Sequence, residues 1–222
     1  MILNPMLLSL KIASIATIFS LILGVYLARI MTKKDFLGKN AVEVLITLPM
    51  VLPPSVTGYI LLILFGRRGI IGSWLYTMGI SLVFSWTGAV LAAAIVSLPL
   101  MYQSVKAAFI NVDSIYEKAA KTLGASDRRI FWTITVPLVW PGVISGIVLA
   151  FARSLGEFGA TLMIAGNIPG KTQTMPLAIY FASDSGDAYT ANILVGIMTV
   201  FSFMLIYSLN HWLKKKNSHN IG

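Results

Sequence analysis

Five apolar runs recur along this chain of 222 residues, at about 9–30, 42–65, 82–102, 138–164 and 189–213. Each reaches the roughly 20 residues that a helix needs to cross the hydrocarbon of a bilayer. Lipid offers no hydrogen bonds, so a segment at that depth has to satisfy its own backbone, as a helix does. With 57% hydrophobic and 11% charged residues, the chain lacks the polar surface of a soluble globule. The expectation is an all-α integral membrane protein of one transmembrane domain, residues 1–222, with about five spans. The first run is expected to stay as an uncleaved helix. A signal peptide would carry positive charge ahead of its apolar core, whereas Met1 to Leu10 has none and the run ends in Arg29.

The formal charge of +9 in a soluble domain would point to nucleic acid, but here the basic residues flank the apolar runs and act as orientation signals. With the N-terminus outside and the C-terminus cytoplasmic, twelve of the seventeen Lys and Arg fall inside, among them Lys33, Lys118, Arg128 and Lys214 to Lys216. Lys11, Arg67, Arg68 and Lys171 fall outside. Nucleic-acid binding is not expected. There is no cysteine, which removes disulfides and thiolate chemistry. His211 and His219 stand away from any carboxylate cluster, so neither a metal site nor a cofactor is expected.

Two runs are interrupted. Pro49, Pro53 and Pro54 lie within the second, and a carbonyl freed by proline at bilayer depth needs protein or water beside it. This predicts a helix facing the bundle interior or a pathway; a simple packing kink is the alternative. The fourth run carries Arg153, Ser154 and Glu157, followed by Gly159. Charges at that depth cost about 2.5–3.5 kcal/mol each on insertion scales. Four residues apart on a helix they share a face and can pair, as a structural bridge, as a pathway lining, or as both.

Between the third and fourth runs lies a charged loop, 113–131. Ser114 and Glu117 have capping-box spacing, and Gly124 suits a left-handed stop. The helix between them has only about two to three turns, too short to stand alone. Ala119 and Ala120 leave a low surface with Lys118 and Lys121 beside it.

Glu117, Ala119, Ala120, Gly124, Ile134, Val136 and Pro137 resemble the EAA loop of ABC importer permeases, E-A-A-x3-G-x9-I-x-L-P. Lys118 stands where that pattern has its acid, which falls here at Glu117, and Val136 replaces leucine. Phe151 to Ala160, FARSLGEFGA, resembles the permeases for molybdate, tungstate and sulfate. Gly66 to Gly72, Phe84 to Ala94 and Asn167 to Pro176 are similar to the molybdate branch. The resemblance implies the type I importer permease fold in the bacterial cytoplasmic membrane. It also implies a homodimer, two copies of a cytoplasmic ATPase subunit that hydrolyses the ATP, and an extracytoplasmic molybdate-binding protein. The permease itself would not be an enzyme. Glu117, Lys118, Ala119, Ala120 and Gly124 would then form a coupling helix docked on the ATPase, with Pro53, Pro54, Arg153, Ser154 and Glu157 along the pathway or its gate. A tungstate or sulfate permease is the nearest alternative. An ion-coupled secondary transporter would need more titratable groups along its path than one deep Arg and one deep Glu. Gly166 to Thr172 resembles a nucleotide-binding loop but has three residues between its glycines where four are needed.

Overall fold

A computed structural model describes residues 2–219; the side chains of residues 214–219 lie outside what it describes. The described residues form helices and connecting turns, with no strand among them. The helices are α1 (Leu3–Lys33), α2 (Lys39–Val51), α3 (Pro54–Phe65), α4 (Ile70–Thr77), α5 (Trp86–Ile110), α6 (Ser114–Thr122), α7 (Asp127–Ile130), α8 (Val136–Leu155), α9 (Gly159–Ala165), α10 (Met175–Asp184) and α11 (Ala188–His219). A π-helical turn, Phe131–Thr135, joins α7 to α8. Among the described residues four continuous helical stretches are long and apolar enough to cross a membrane, or five if the bent pair of α2 and α3 counts as one.

Helix α5 is the centre of the packing, with α1 and α8 along its sides. Its Ala89, Ala92, Ala93, Met101, Tyr102 and Val105 are fully buried. The inward face of α1 is built of small residues, Ala13, Ala16, Ser20 and Ala28, and a Cβ on Gly24 would come within 2.6 Å of the Met101 side chain. Small residues let helix axes close up where lipid supplies no hydrophobic drive for association. Ser20 adds a polar tie, donating to the Ala94 carbonyl at 3.1 Å and meeting the Ser97 hydroxyl at 2.9 Å. The outward faces carry Ile18, Ile22 and Phe203, all exposed.

The second expected span, 42–65, is not one helix. It breaks between Val51 and Pro54 and turns by 117°. The cause is local, because a residue before proline is pushed out of the helical region. Leu52 precedes Pro53 and Pro53 precedes Pro54, and both are extended, at ψ 141° and 136°. Pro54 then restarts the chain as the first residue of α3, a position where its missing N–H costs nothing. The fourth expected span, 138–164, also differs. Helix begins at Asp127, runs through the π turn to Leu155, and breaks at Gly156 to Phe158 before α9. The stretches between the expected spans, 66–81 and 165–188, contain short helices, α4 and α10. The backbone N–H of Met175 at the start of α10 donates to the buried Ser9 hydroxyl at 2.7 Å, which anchors that segment to α1.

Candidate functional site

Two arrangements bring the sequence-predicted residues together, one at the charged loop and one at the break after α8. In the loop, α6 is capped by Asp113, whose carboxylate accepts the Ile115 N–H at 2.9 Å. The expected capping box of Ser114 and Glu117 is not formed. Ser114 is already inside the helix, one residue late for the role, and Glu117 is drawn elsewhere. Its carboxylate is paired with the Lys33 ammonium at the end of α1 and accepts from the buried Thr135 hydroxyl at 2.9 Å. The Lys33 ammonium, and after it the Thr135 hydroxyl, hold the Glu117 carboxyl below the usual glutamate range.

Glu117 therefore faces the bundle and ties α6 to α1 and to the root of α8. The opposite face is free: Ile115, Ala119 and Leu123, spaced by four, are exposed, and Lys118 lies beside them. Ala120 is half-buried. Gly124 ends the helix at φ +78°, with nothing within 4 Å of where its Cβ would stand. Across that turn Lys121 meets Asp127 at 2.8 Å, which raises the one pKa and lowers the other. Ser126 caps α7, accepting from the Arg129 N–H at 3.4 Å.

The second arrangement surrounds a cavity of 330 Å³ between the start of α3 and the break after α8, with Pro54, Ser55, Arg153 and Glu157 in its wall. The Glu157 side chain is 1% exposed and that of Arg153 31%. Oε1 of Glu157 accepts the Ala160 N–H at 2.7 Å, so the carboxylate caps α9 across the break. Oε2 lies 2.8 Å from Arg153 Nη1 but receives no well-directed hydrogen bond there. The contact is an ion pair, and Arg153 stands partly exposed in the cavity wall. Gly159 lets the two breaks meet, since a Cβ there would stand 3.1 Å from Pro54 Cβ and 3.2 Å from the Ser55 N. A Cβ on Gly58 would come within 2.6 Å of the Ala160 Cα, so α3 lies directly against α9. Of the residues expected here, Ser154 and Pro53 are not in the cavity wall. Ser154 is buried and donates to the Ala93 carbonyl at 3.4 Å, and Pro53 forms the bend itself.

Sequence reading missed Lys33 and Thr135 as partners of Glu117, and Ser55 beside Arg153. It also missed the ion pair of Lys106 with Glu43 that fastens α2 to α5. The last had a signal, an acid at the start of an apolar run and a base just beyond another. The partners of Glu117 are 84 and 18 residues distant, and no local spacing marks them.

Residues 20–219 match the family model described as binding-protein-dependent transport system inner membrane component. The chain is 45% identical over 220 residues to the molybdenum transport system permease protein ModB of Escherichia coli (strain K12), covering 99% of this chain and 96% of that one. It is 35% identical over 198 residues to the sulfate transport system permease protein CysT of the same strain, covering 89% and 72%. In fold it is similar to a structure of the MetNI methionine ABC transporter in inward-facing conformations. The TM-score is 0.74 at 14% identity, over 96% of this chain and 95% of that chain.

Proposed function

The chain belongs to the family of binding-protein-dependent transport system inner membrane components, and from that premise we propose that it is the permease of an ATP-driven importer whose cargo is the tetrahedral oxyanion molybdate. The observation that carries the cargo is the 45% identity to a molybdenum permease along nearly the full length of both chains. The 35% identity to a sulfate permease supports a second reading, in which sulfate or tungstate takes its place.

In this reading the chain performs no covalent chemistry, and ATP is hydrolysed on a separate cytoplasmic subunit. Two such subunits dock on two copies of this chain, and an extracytoplasmic binding protein delivers the anion. The exposed stripe of Ile115, Ala119 and Leu123, with Lys118 beside it, is the docking face. Glu117 acts from the other side: through Lys33 and Thr135 it passes displacement of α6 to α1 and α8. Distribution of Lys and Arg supports the loop 113–131 lying in the cytoplasm. Deeper in, the anion passes the breaks in α2–α3 and α8–α9, where Arg153 meets it with part of its guanidinium while Glu157 keeps the cation from holding it too tightly. Pro54 and Ser55 line the passage beside Arg153, Pro53 sets the bend that exposes them, and Ser154 serves packing.

Reconstitution of the chain with its ATPase and binding protein in proteoliposomes tests this. Uptake of molybdate that requires ATP and resists excess sulfate is the expected result. Uptake driven by an ion gradient without the ATPase would overturn the importer reading, and equal competition by sulfate would replace the cargo.

A further inference from the structure

We propose that the crevice beside the end of α1 binds an anionic phospholipid, whose phosphate seats among Arg29, Lys33, Lys34 and Lys121 while an acyl chain lies back along α1 over Tyr26 and Ile22. The crevice is a cavity of 560 Å³ bounded by α1, α6, α7 and the π turn. Its wall holds those four cations against two carboxylates, Glu117 and Asp127. Both carboxylates are engaged, Glu117 with Lys33 and Asp127 with Lys121. Arg29 and Lys34 have no carboxylate partner among the described residues. The Arg29 guanidinium lies 3.4 Å over the Phe131 ring, which orients the cation without neutralising it.

The crevice also has the geometry of a headgroup site at a bilayer boundary. Ile18, Ile22 and Tyr26, four residues apart on the outward face of α1, are exposed and apolar; beyond them the same helix carries Arg29 and Lys33, and Lys34 follows its end. A small anion would satisfy the cations and leave Tyr26, Ile30 and Phe131 wet in the same wall. A phospholipid meets both halves at once, and basic residues at the ends of membrane helices recognise anionic headgroups through charge. Lys33 stands between the phosphate and Glu117, so the occupied site adjoins the tie that holds α6.

The test is retention of added lipid by the purified full chain, read by native mass spectrometry with phosphatidylglycerol, and with phosphatidylcholine as the zwitterionic comparison. Lys34→Gln and Arg29→Gln are each expected to weaken phosphatidylglycerol retention about fivefold, the equivalent of ~1 kcal/mol per cation. Phosphatidylcholine retention should not change, and Lys11→Gln, at the other end of α1 over Trp86, should bind phosphatidylglycerol as the parent does. Lys34 is exposed and its replacement leaves packing intact, so it decides the matter if Arg29→Gln fails to assemble. Equal retention by the parent and Lys34→Gln overturns the proposal. Displacement of the lipid by millimolar inorganic phosphate overturns it in favour of a small-anion site.

Discussion

Glu117 and Glu157 are both glutamates at the edge of a helix, and each is decided by what it faces. Glu117 pairs with a Lys33 that is itself about half exposed, 49% in its side chain, so the pair contributes no more than about 1 kcal/mol. Its value lies in direction. Glu117→Gln is expected to leave the chain folded, to free α6 from α1, and to lower stimulation of the ATPase by loaded binding protein more than it lowers abundance. The pH dependence follows from the lowered carboxyl. A group whose folded pKa is depressed stabilises above its unfolded value and loses that contribution as pH falls through the folded one. Protection of α6 amides from hydrogen exchange, corrected for intrinsic rates, should be flat above the ordinary glutamate value of 4.5 and fall below it. The Glu117→Gln chain should show a smaller fall, the remainder coming from Asp127, whose carboxyl is lowered by its pair with Lys121 of α6. Glu157 is buried and does two things. Glu157→Gln keeps an acceptor for the Ala160 N–H and leaves Arg153 without its counter-charge, so abundance should drop, moderated by the 31% of Arg153 that is open to the cavity. The double change Arg153→Met, Glu157→Gln should recover abundance. Full abundance of Glu157→Gln alone would remove the pair's structural role, and normal uptake by the double variant would remove Arg153 from the anion's path.

Among the elements, the informative ones are short. Gly124 stands at φ +78° with open space around it, so Gly124→Val acts through the backbone alone. A left-handed site costs an ordinary L-residue roughly 1–2 kcal/mol, and a β-branched one has the least tolerance for it. Ala120→Trp places bulk beside the proposed docking stripe. Both are expected to abolish ATPase stimulation while the spans still assemble, and stimulation that survives Ala120→Trp refutes docking through α6. The contact between α3 and α9 has a paired test. Gly58→Val drives a side chain into the backbone of Ala160 and should reduce folded yield, overpacking of this kind costing about 1–3 kcal/mol. Gly156→Ala meets only ordinary contacts, the nearest at 3.7 Å, and should be tolerated. Thermal stability in detergent, compared between the two, reads this difference directly.

At the scale of the whole molecule, the breaks after α2 and after α8 pack against each other, so the cavity beside Arg153 is bounded by interrupted helices on two sides. Interrupted backbone at bilayer depth is tolerated where it is covered by protein or lines a polar cavity. Orientation is tested on the intact chain, which contains no cysteine. An impermeant maleimide added to cells should label Lys171→Cys and spare Lys118→Cys. The reverse pattern would turn the molecule over and place the proposed docking stripe on the wrong side for any ATPase.

The amino-acid sequence by itself determined the class of fold, the apolar runs, the turn at Gly124 and the prolines at which the second run is interrupted. Each of these depends on local chemistry: apolar length, a glycine at positive φ, or two successive residues forced out of the helical region by the prolines that follow them. The sequence also singled out Arg153 and Glu157, because four residues in a helix make one turn. Tertiary structure alone decided that the fourth span stops at Leu155, that Glu157 caps α9, and that Ser154 packs while Ser55 lines the cavity. It alone turned Glu117 from an expected cap into a tie to Lys33 and Thr135. Those outcomes depend on which helices lie side by side, and that choice is made by small residues such as Gly24, Gly58 and Gly159 fitting against partners far away in the chain.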